Sequence, residues 1–260
     1  MRATIGGARG SMPVSGAELA RYGGDTFALL AESRGGEQAM VDAGSGTRNL
    51  LGKLRAGSTL LFTHTHLDHL VGLPALAGAW PRQMVFPRGD LGEALGRVYS
   101  PPTWPVELPP ARVVAGPAPL ELGELEVDWL TVAHPDGCVA YRIRERATGE
   151  SLVVATDVEW PRMGEREQEA FVEFAAGAGL LAFDAQYLPE EYEGHRGWGH
   201  STWEHAVEAA RRAGARKLWL MHHAPERTDG ELDELAKKAA AAFPGARVAA
   251  AGDAEEGLNE

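Results

Sequence analysis

The segment that most constrains this chain is THTHLDHLVG at residues 63–72, which follows the apolar run TLLF. Within six residues it holds four side chains that can bind a metal, namely His64, His66, Asp68 and His69. The whole chain has only nine histidines. Packed structural histidines seldom come at this spacing with a carboxylate between them. We therefore expect a fold that gathers further ligands around this loop.

Size and composition narrow the classes of protein that fit. With 260 residues, of which 44% are hydrophobic and 24% charged, the chain has an ordinary globular composition, and we expect one domain over residues 1–260. The net charge of −12 and the lack of a Lys/Arg run argue against long nucleic acid as the main substrate. One cysteine, Cys138, excludes an intrachain disulfide. Without a signal-like or membrane-spanning apolar segment, we expect a cytoplasmic protein.

Apolar runs and helical periodicity outline the fold. Runs typical of strands lie at 26–32, 38–44, 59–64, 83–87, 111–115, 125–132, 138–145, 151–157, 179–185 and 217–223. Helical spacing predicts helices at 165–176, 201–213 and 230–243, with shorter candidates at 72–80 and 91–99. The proline-rich segment 101–119 predicts an irregular surface excursion, and 236–251 a helix and a final strand. This order, in two similar halves, predicts an α/β sandwich with helices outside two sheets.

Polar side chains follow several of these runs at the point where each run ends. His134 follows LTVA, Asp157 follows LVVAT, Asp184 follows LLAF, and the pair His222 and His223 follows LWLM. Strand ends in a layered α/β fold meet at one edge of the sheet, so these side chains should join the first loop. Imidazole and carboxylate suit zinc, manganese or iron, and a carboxylate such as Asp157 can bridge two ions. A lone histidine such as His134 is more often structural, but the first loop alone lacks ligands for a second metal.

The run HTHLDH resembles the HxHxDH signature of the metallo-β-lactamase-fold hydrolases, and the resemblance extends from GARGS to HHAPER. It implies an αββα sandwich of two mixed sheets that binds two divalent ions. Zinc is the expected metal, and manganese and iron are the alternatives. It also implies two ligand sets bridged by Asp157: His64, His66 and His134 for one metal, and Asp68, His69 and His222 for the other. Asp68 is also expected to be catalytic. The pattern LMHHAP favours His222 as the ligand over His223, which would then contact the metal site or the substrate from outside.

The segment WGHSTWEHA at 198–206 resembles a GHST-type motif of the tRNA 3′-processing nuclease and cyclic-phosphodiesterase branch. In that motif a histidine protonates the leaving oxygen and an upstream carboxylate orients it. His200 matches the donor and Asp184 matches the carboxylate. The plainer alternative is that His200 only caps the following helix, for which Ser201 or Thr202 are also candidates.

The opening GARGSMPVSGAELARYGGDT at 7–26 resembles the glycine-rich opening of the same branch. Arg9 and Ser11 are therefore candidates for phosphate contact. Asp25 stands where the branch usually has Asn, which puts one family hydrogen bond in doubt. The run PPTWPVEL resembles an aromatic-rich insert that lines the substrate pocket, where Trp104 either stacks on a ring or packs. His195 and His205 match no motif and are expected at the surface.

These features predict a binuclear metal-dependent phosphodiesterase acting on a small phosphodiester, cyclic diesters included. A metal-bound hydroxide would attack phosphorus, and His200 would act as general acid. A tRNA 3′-processing endoribonuclease fits the same motifs, but the charge of −12 and the lack of a long basic insertion argue against it. In a carbon-ester, thioester or lactam hydrolase, His200 would have no obvious role in the reaction. A non-catalytic binding protein would not need all seven ligands, and a homodimer is suggested only by the resemblance.

Overall fold

Two seven-stranded sheets form the centre of the molecule, of which the computed structural model describes residues 1–105, 108–109, 112–114 and 118–258. The strands of the first sheet are β1 (Arg2–Gly7), β2 (Ala28–Glu32), β3 (Gln38–Val41), β4 (Thr59–Leu61), β5 (Gln83–Val85), β6 (Arg112–Val114) and β14 (Ala254–Glu256). Their order in space is β14-β1-β2-β3-β4-β5-β6.

In the second sheet, strands that follow one another in the chain also lie side by side. Its strands are β7 (Leu120–Leu122), β8 (Leu125–Val132), β9 (Cys138–Glu145), β10 (Ser151–Ala155), β11 (Leu180–Asp184), β12 (Lys217–Met221) and β13 (Ala246–Val248). They lie in the order β13-β12-β11-β10-β9-β8-β7.

Both sheets are mixed, and they are mixed in the same way. In the first sheet the pairs from β14 to β3 are antiparallel and those from β3 to β6 are parallel. In the second sheet the pairs from β7 to β10 are antiparallel and those from β10 to β13 are parallel. The parallel part of each sheet brings the carboxyl ends of its strands to one edge.

Helices cover the outer faces of both sheets, which confirms the predicted αββα sandwich. They are α1 (Leu91–Val98), α2 (Glu165–Phe174), α3 (Trp203–Ala213) and α4 (Asp229–Ala242). The last three pack on the second sheet, and α1 packs on the first. The segment 72–80 forms a short 3-10 helix, Leu73–Gly78, instead of the predicted α-helix, and the glycines at both of its ends disfavour a longer helix.

Alternation along the central strands explains their continuous apolar sequences. In β10, Leu152 and Val154 face the layer between the sheets, whereas Val153 and Ala155 face the helices. The strand is buried on both sides, as expected for a central strand next to a parallel neighbour. The loops that carry the polar residues begin where these buried strands end.

Three strands were not predicted, namely β1, β7 and β14. The β1 sequence RATIGG has two glycines and reads as a turn, but its pairing with β2 and β14 comes from distant parts of the chain. The predicted excursion 101–119 and the predicted strand 111–115 lie partly outside the described residues, and β6 occupies the described residues of that strand. No helix among the described residues is long and apolar enough to cross a membrane.

Candidate metal centre

The strand ends bring all seven predicted ligands together in two groups of three, with Asp157 near both. Within each group, one ligand atom per residue lies within 4.8 Å of the others. Two of the overlapping groups found among the described residues are those that the resemblance implies: His64, His66 and His134, and Asp68, His69 and His222. Other combinations of the same kind join Asp157 to His64 and His69, and His200 to His134 and Asp157 or to Asp184 and His222. The first loop follows β4, and the remaining ligands follow β8, β10 and β12.

Asp157 lies between the two groups. Its Oδ1 is 3.7 Å from Nε2 of His64 and 3.4 Å from Nε2 of His222. Its Oδ2 is 3.2 Å from Nε2 of His69. The carboxylate therefore faces ligands of both groups at once, which is the position that a bridging ligand requires.

Most of the histidine rings are held from outside through Nδ1, which leaves Nε2 facing the centre of the cluster. Nδ1 of His69 lies 2.8 Å from Asp42 Oδ2, Nδ1 of His222 lies 2.8 Å from Gln186 Oε1, and Nδ1 of His134 lies 2.9 Å from Gly199 O. These acceptors fix the tautomer with the proton on Nδ1 and the lone pair on Nε2. His66 differs, since its Nδ1 faces His134 Nε2 at 3.2 Å.

Several inward-facing atoms are buried without a hydrogen bond among the described residues. They are Nε2 of His64, His69 and His222, and Oδ2 of Asp157. Buried polar atoms are normally satisfied, because leaving one unpaired costs about 1–3 kcal/mol. Four such atoms aimed at one another are the donor set that a divalent cation would satisfy. The residues present therefore fit a metal centre.

The charges in the cluster are strongly coupled. Burial lowers the pKa of His64 well below its usual value, and the neighbouring His69 lowers it further. Burial also opposes charge on His69, but Asp157 and Asp68 raise its pKa well above the usual value. Burial would raise the pKa of Asp157, yet the charges of His222 and His69 hold it well below normal. The carboxylates thus stay ionised, and their negative charge is what a cation would neutralise.

Asp42 is a functional residue that the sequence reasoning missed. It directly follows β3 with a positive φ of 56°, and its carboxylate accepts from His69 Nδ1 and from Thr63 N–H and Oγ1–H. It therefore orients His69 and the start of the ligand loop together. An aspartate at the end of an apolar run was the available signal, the same one that identified Asp157.

The two adjacent histidines after β12 have different surroundings. His222 has a φ of 62°, and this left-handed turn directs its ring to the cluster. His223 is 1% exposed and its Nε2 lies 2.9 Å from Ala249 O. Burial lowers the pKa of His223 to about 3, so the ring is neutral. The expectation that His223 contacts the metal site or the substrate is wrong, because its ring is buried and is hydrogen-bonded to the carbonyl of Ala249.

Gly10 is required by the packing around His222. A Cβ at residue 10 would lie 2.3 Å from Nδ1 of His222 and 2.9 Å from Oε1 of Gln186. We expect Gly10→Ala to displace the ring and weaken zinc binding about 10–100-fold, the usual cost of disturbing a ligand's support. Zinc affinity is measured by competition with a chromophoric chelator. Gly96→Ala is the matched control, since a Cβ there meets nothing within 4 Å. Wild-type affinity in Gly10→Ala would refute this requirement.

His200 and Asp184 form a buried pair next to the cluster. Nδ1 of His200 lies 2.7 Å from Oδ2 of Asp184, and its ring stacks on His222 with centroids 4.8 Å apart. Burial raises the pKa of Asp184. The nearby charge of Asp157 raises it further, whereas backbone N–H groups of Val158, Gln186 and Ser201 donate to this carboxylate and favour its ionised form. Burial lowers the pKa of His200, and nearby Asp157 opposes that shift.

The helix-capping alternative for His200 is excluded by the start of α3. Thr202 is the N-cap, and its Oγ1 accepts from the N–H of His205. His205 in turn accepts from the N–H of Thr202 through Nδ1. His195 and His205 are half-buried rather than on the open surface, and His195 stacks on Tyr187.

The opening loop contacts the cluster through its backbone. The N–H of Ser11 donates to Asp68 Oδ2 over 2.9 Å. Arg9 is fully buried, and its guanidinium donates to the carbonyls of Gly23, Ala224 and Arg227. Arg9 therefore fastens the opening loop to the segment after β12, and the expectation that it contacts phosphate is wrong.

Two further sequence expectations have structural outcomes. The Asp25 carboxylate accepts from Ser45 Oγ–H and from Asn49 Nδ2–H, so both of its oxygens are hydrogen-bonded. Trp104 packs edge-on against Tyr99 with centroids 5.5 Å apart, in the cluster under the first sheet. Residues 106–107 of the predicted aromatic insert lie outside the described residues.

Comparison with known proteins agrees with this geometry. Residues 39–223 match the family model described as beta-lactamase superfamily domain. The chain is 26% identical to ribonuclease Z of Haloarcula marismortui over 304 aligned positions, covering 96% of this chain and 94% of that protein. The fold is similar to that of the metallo-β-lactamase fold protein YhfI from Bacillus subtilis, with a TM-score of 0.75, 22% identity and coverage of 98% and 99%. It is also similar to that of a diphosphatase from the PhnP family, with a TM-score of 0.72, 18% identity and coverage of 98% and 97%.

The matched region contains the ligand loop and every other residue of the two groups, of which His222 is the last in the chain. The family match covers well over half of the chain, and the two mixed sheets have the layered arrangement of the similar structures. The chain therefore belongs to the beta-lactamase superfamily, as a hydrolase with the metallo-β-lactamase fold.

Proposed function

We propose that this hydrolase is a binuclear metal-dependent phosphodiesterase that cleaves small phosphodiesters, cyclic diesters included. The observation that carries the proposal is the His200–Asp184 pair beside the two ligand groups. A thiolate leaving a thioester needs no proton donor of this kind, whereas an alkoxide leaving phosphorus does.

Two cations are proposed because the ligands divide into two complete groups with Asp157 shared between them. Imidazole and carboxylate donors favour zinc, with manganese or iron as alternatives. Bound there, the cations would acidify a water molecule and offset negative charge on the phosphoryl oxygens. Asp68 serves in this scheme both as a ligand and as a group that keeps the centre negatively charged.

His200 is proposed as the general acid. Asp184 accepts a hydrogen bond from the N–H at Nδ1, so the remaining nitrogen, Nε2, is the atom that gives a proton to the leaving oxygen. Burial lowers the pKa of His200 and the charge of Asp157 opposes that shift, and a carboxylate bound to Nδ1 favours the doubly protonated ring. Asp184 itself is held by three backbone N–H groups, so it keeps its orientation while His200 changes charge.

A small substrate is favoured over a large RNA by the charge and size of the chain. The net charge of −12 repels a polyphosphate backbone. The alignment with ribonuclease Z spans 304 positions, more than the 260 residues of this chain, so that relative has segments without a counterpart here. One protein of similar fold is named a diphosphatase.

A tRNA 3′-processing endoribonuclease is the second candidate. Its support is the similarity to curated proteins named ribonuclease Z, which covers nearly the full length of both chains. A steep loss of binding to a tRNA precursor between about 50 and 200 mM salt would favour this candidate, because phosphate contacts release counterions.

The test is hydrolysis of bis(p-nitrophenyl) phosphate by the purified protein, with bound metal quantified in the same sample. We expect turnover together with about two metals per chain. p-Nitrophenyl acetate serves as the carbon-ester comparison, and a tRNA precursor as the RNA comparison. Two metals with hydrolysis of the acetate alone would contradict the phosphodiesterase proposal.

A further inference from the structure

Glu159 is a buried carboxylate that the proposed chemistry does not use. It lies two residues after Asp157 and is 1% exposed. Its partners are neutral donors: Tyr192 Oη–H at 2.9 Å, Gly197 N–H at 2.7 Å and Gly199 N–H at 2.9 Å. None of the ion pairs found within the described part of the chain involves Glu159. A buried carboxylate is stable only where donors satisfy it, so the loop before α3 is fastened around this charge.

The peptide groups of Gly199 connect this charge to the site. Its N–H donates to Glu159 Oε2, and its carbonyl accepts from Nδ1 of His134, one of the proposed ligands. Gly199 has a φ of 94°, and a Cβ there would lie 2.3 Å from Nδ1 of His134. The next residue in the chain is His200. The buried carboxylate is therefore hydrogen-bonded to Gly199, and Gly199 both precedes the proposed acid in the chain and is hydrogen-bonded to a proposed ligand.

The backbone of Glu159 is anchored on the opposite side. Its N–H donates to the carbonyl of Ala133 over 2.8 Å, directly before His134. Ser201 adds a second tie, since its Oγ accepts from Trp160 N–H over 3.1 Å. The loop after β10 thus holds both His134 and the segment of His200, and Glu159 supplies the charge in this connection.

We propose that Glu159 is a positioning residue, which sets the Gly199 peptide so that His134 and His200 face the same reacting group. The proposal rests on the function proposed above for these two histidines. The N–H and the carbonyl of Gly199 belong to two successive peptide groups joined at its Cα, so a fixed N–H also fixes the direction from which the carbonyl accepts the hydrogen bond of His134. The charge matters as well as the shape, because an amide offers only one accepting atom to three donors.

The experiment compares Glu159→Gln with the wild-type full chain loaded with zinc. We expect zinc affinity, measured by chelator competition, to fall about 10–100-fold, as is usual when the support of a ligand is removed. We also expect kcat on bis(p-nitrophenyl) phosphate to fall by a similar factor while KM changes less than about twofold. KM should hold because Glu159 does not touch the substrate.

The matched control is Asp229→Asn. Asp229 is also a buried carboxylate that accepts backbone N–H groups, those of Arg21 and Tyr22, but it lies on α4. Its variant should lose thermal stability and keep zinc affinity and kcat. If Glu159→Gln does not fold, Glu159→Asp is measured instead. It keeps the charge but withdraws it by one methylene from Gly197 and Gly199, so both quantities should again fall.

Two results would overturn the proposal. One is a folded Glu159→Gln with wild-type zinc affinity and kcat. The other is a variant that loses only thermal stability, as expected for Asp229→Asn, which would make the role of Glu159 structural. Zinc affinity is measured independently of turnover. A wild-type protein that binds zinc but cleaves no diester would therefore refute the proposed function and still test the role of Glu159.

Discussion

Replacing Asp157 by asparagine is expected to reduce hydrolysis of bis(p-nitrophenyl) phosphate by at least about 10³-fold and to release metal from the protein. Asp157 faces both ligand groups, and its charge is held among the rings of His64, His69 and His222. The amide cannot supply a negative charge to either group. Metal ions contribute several kcal/mol to such reactions, and about 1.4 kcal/mol corresponds to tenfold in rate.

The measurement for Asp157→Asn combines kcat/KM with the metal content of the same preparation. Asp233→Asn is the control, since Asp233 is a carboxylate on α4 that pairs with Arg21 away from the cluster. It should keep both activity and metal. Full metal content with near-normal activity in Asp157→Asn would show that this carboxylate is not shared between two ions.

His200→Ala is expected to lower kcat by about 10²–10⁴-fold while the metal content stays near that of the wild type. The ring belongs to neither of the two groups that the resemblance implies, although it lies close to His134, Asp157 and His222, and its Nδ1 is bound to Asp184. The loss should be larger for a 2′,3′-cyclic nucleotide than for bis(p-nitrophenyl) phosphate. An alkoxide is a poorer leaving group than p-nitrophenolate and depends more on the proton donor.

His205→Gln is the matched control for His200→Ala. A glutamine at this position of α3 retains the capping pattern with Thr202, so both stability and turnover should be kept. Equal losses of His200→Ala on the two diesters would argue against proton donation. Loss of metal in His200→Ala would assign the ring to the metal centre instead.

The architecture could be predicted from the sequence because the signals are local. Apolar runs such as SLVVATD mark central strands, and their polar ends mark the edge where the ligands meet. That rule brings His134, Asp157 and His222 to this edge, since each comes within two residues of the end of a strand, whereas the division into two ligand groups came from the family resemblance. The strand β1 could not be predicted, because its glycines are compatible with a strand only through pairing with β2 and β14.

The supporting residues could not be predicted because they depend on contacts between distant segments. Gln186 supports His222 and Glu159 supports the Gly199 peptide, and neither belongs to a local motif. Arg9 was misread for the same reason. A guanidinium near a phosphate site suggests substrate contact, and only the fold shows that carbonyls of Ala224 and Arg227 surround it.

Each ligand group is divided between the two sheets. His64 and His66 follow a strand of the first sheet, whereas His134 follows a strand of the second, and Asp68 and His69 are separated from His222 in the same way. A cation in either group would cross-link the two sheets, and the sheets could not separate without releasing it. Binding of this kind stabilises the native state in proportion to the logarithm of free metal. The melting temperature of the chain would then serve as a gauge of the metal in its surroundings.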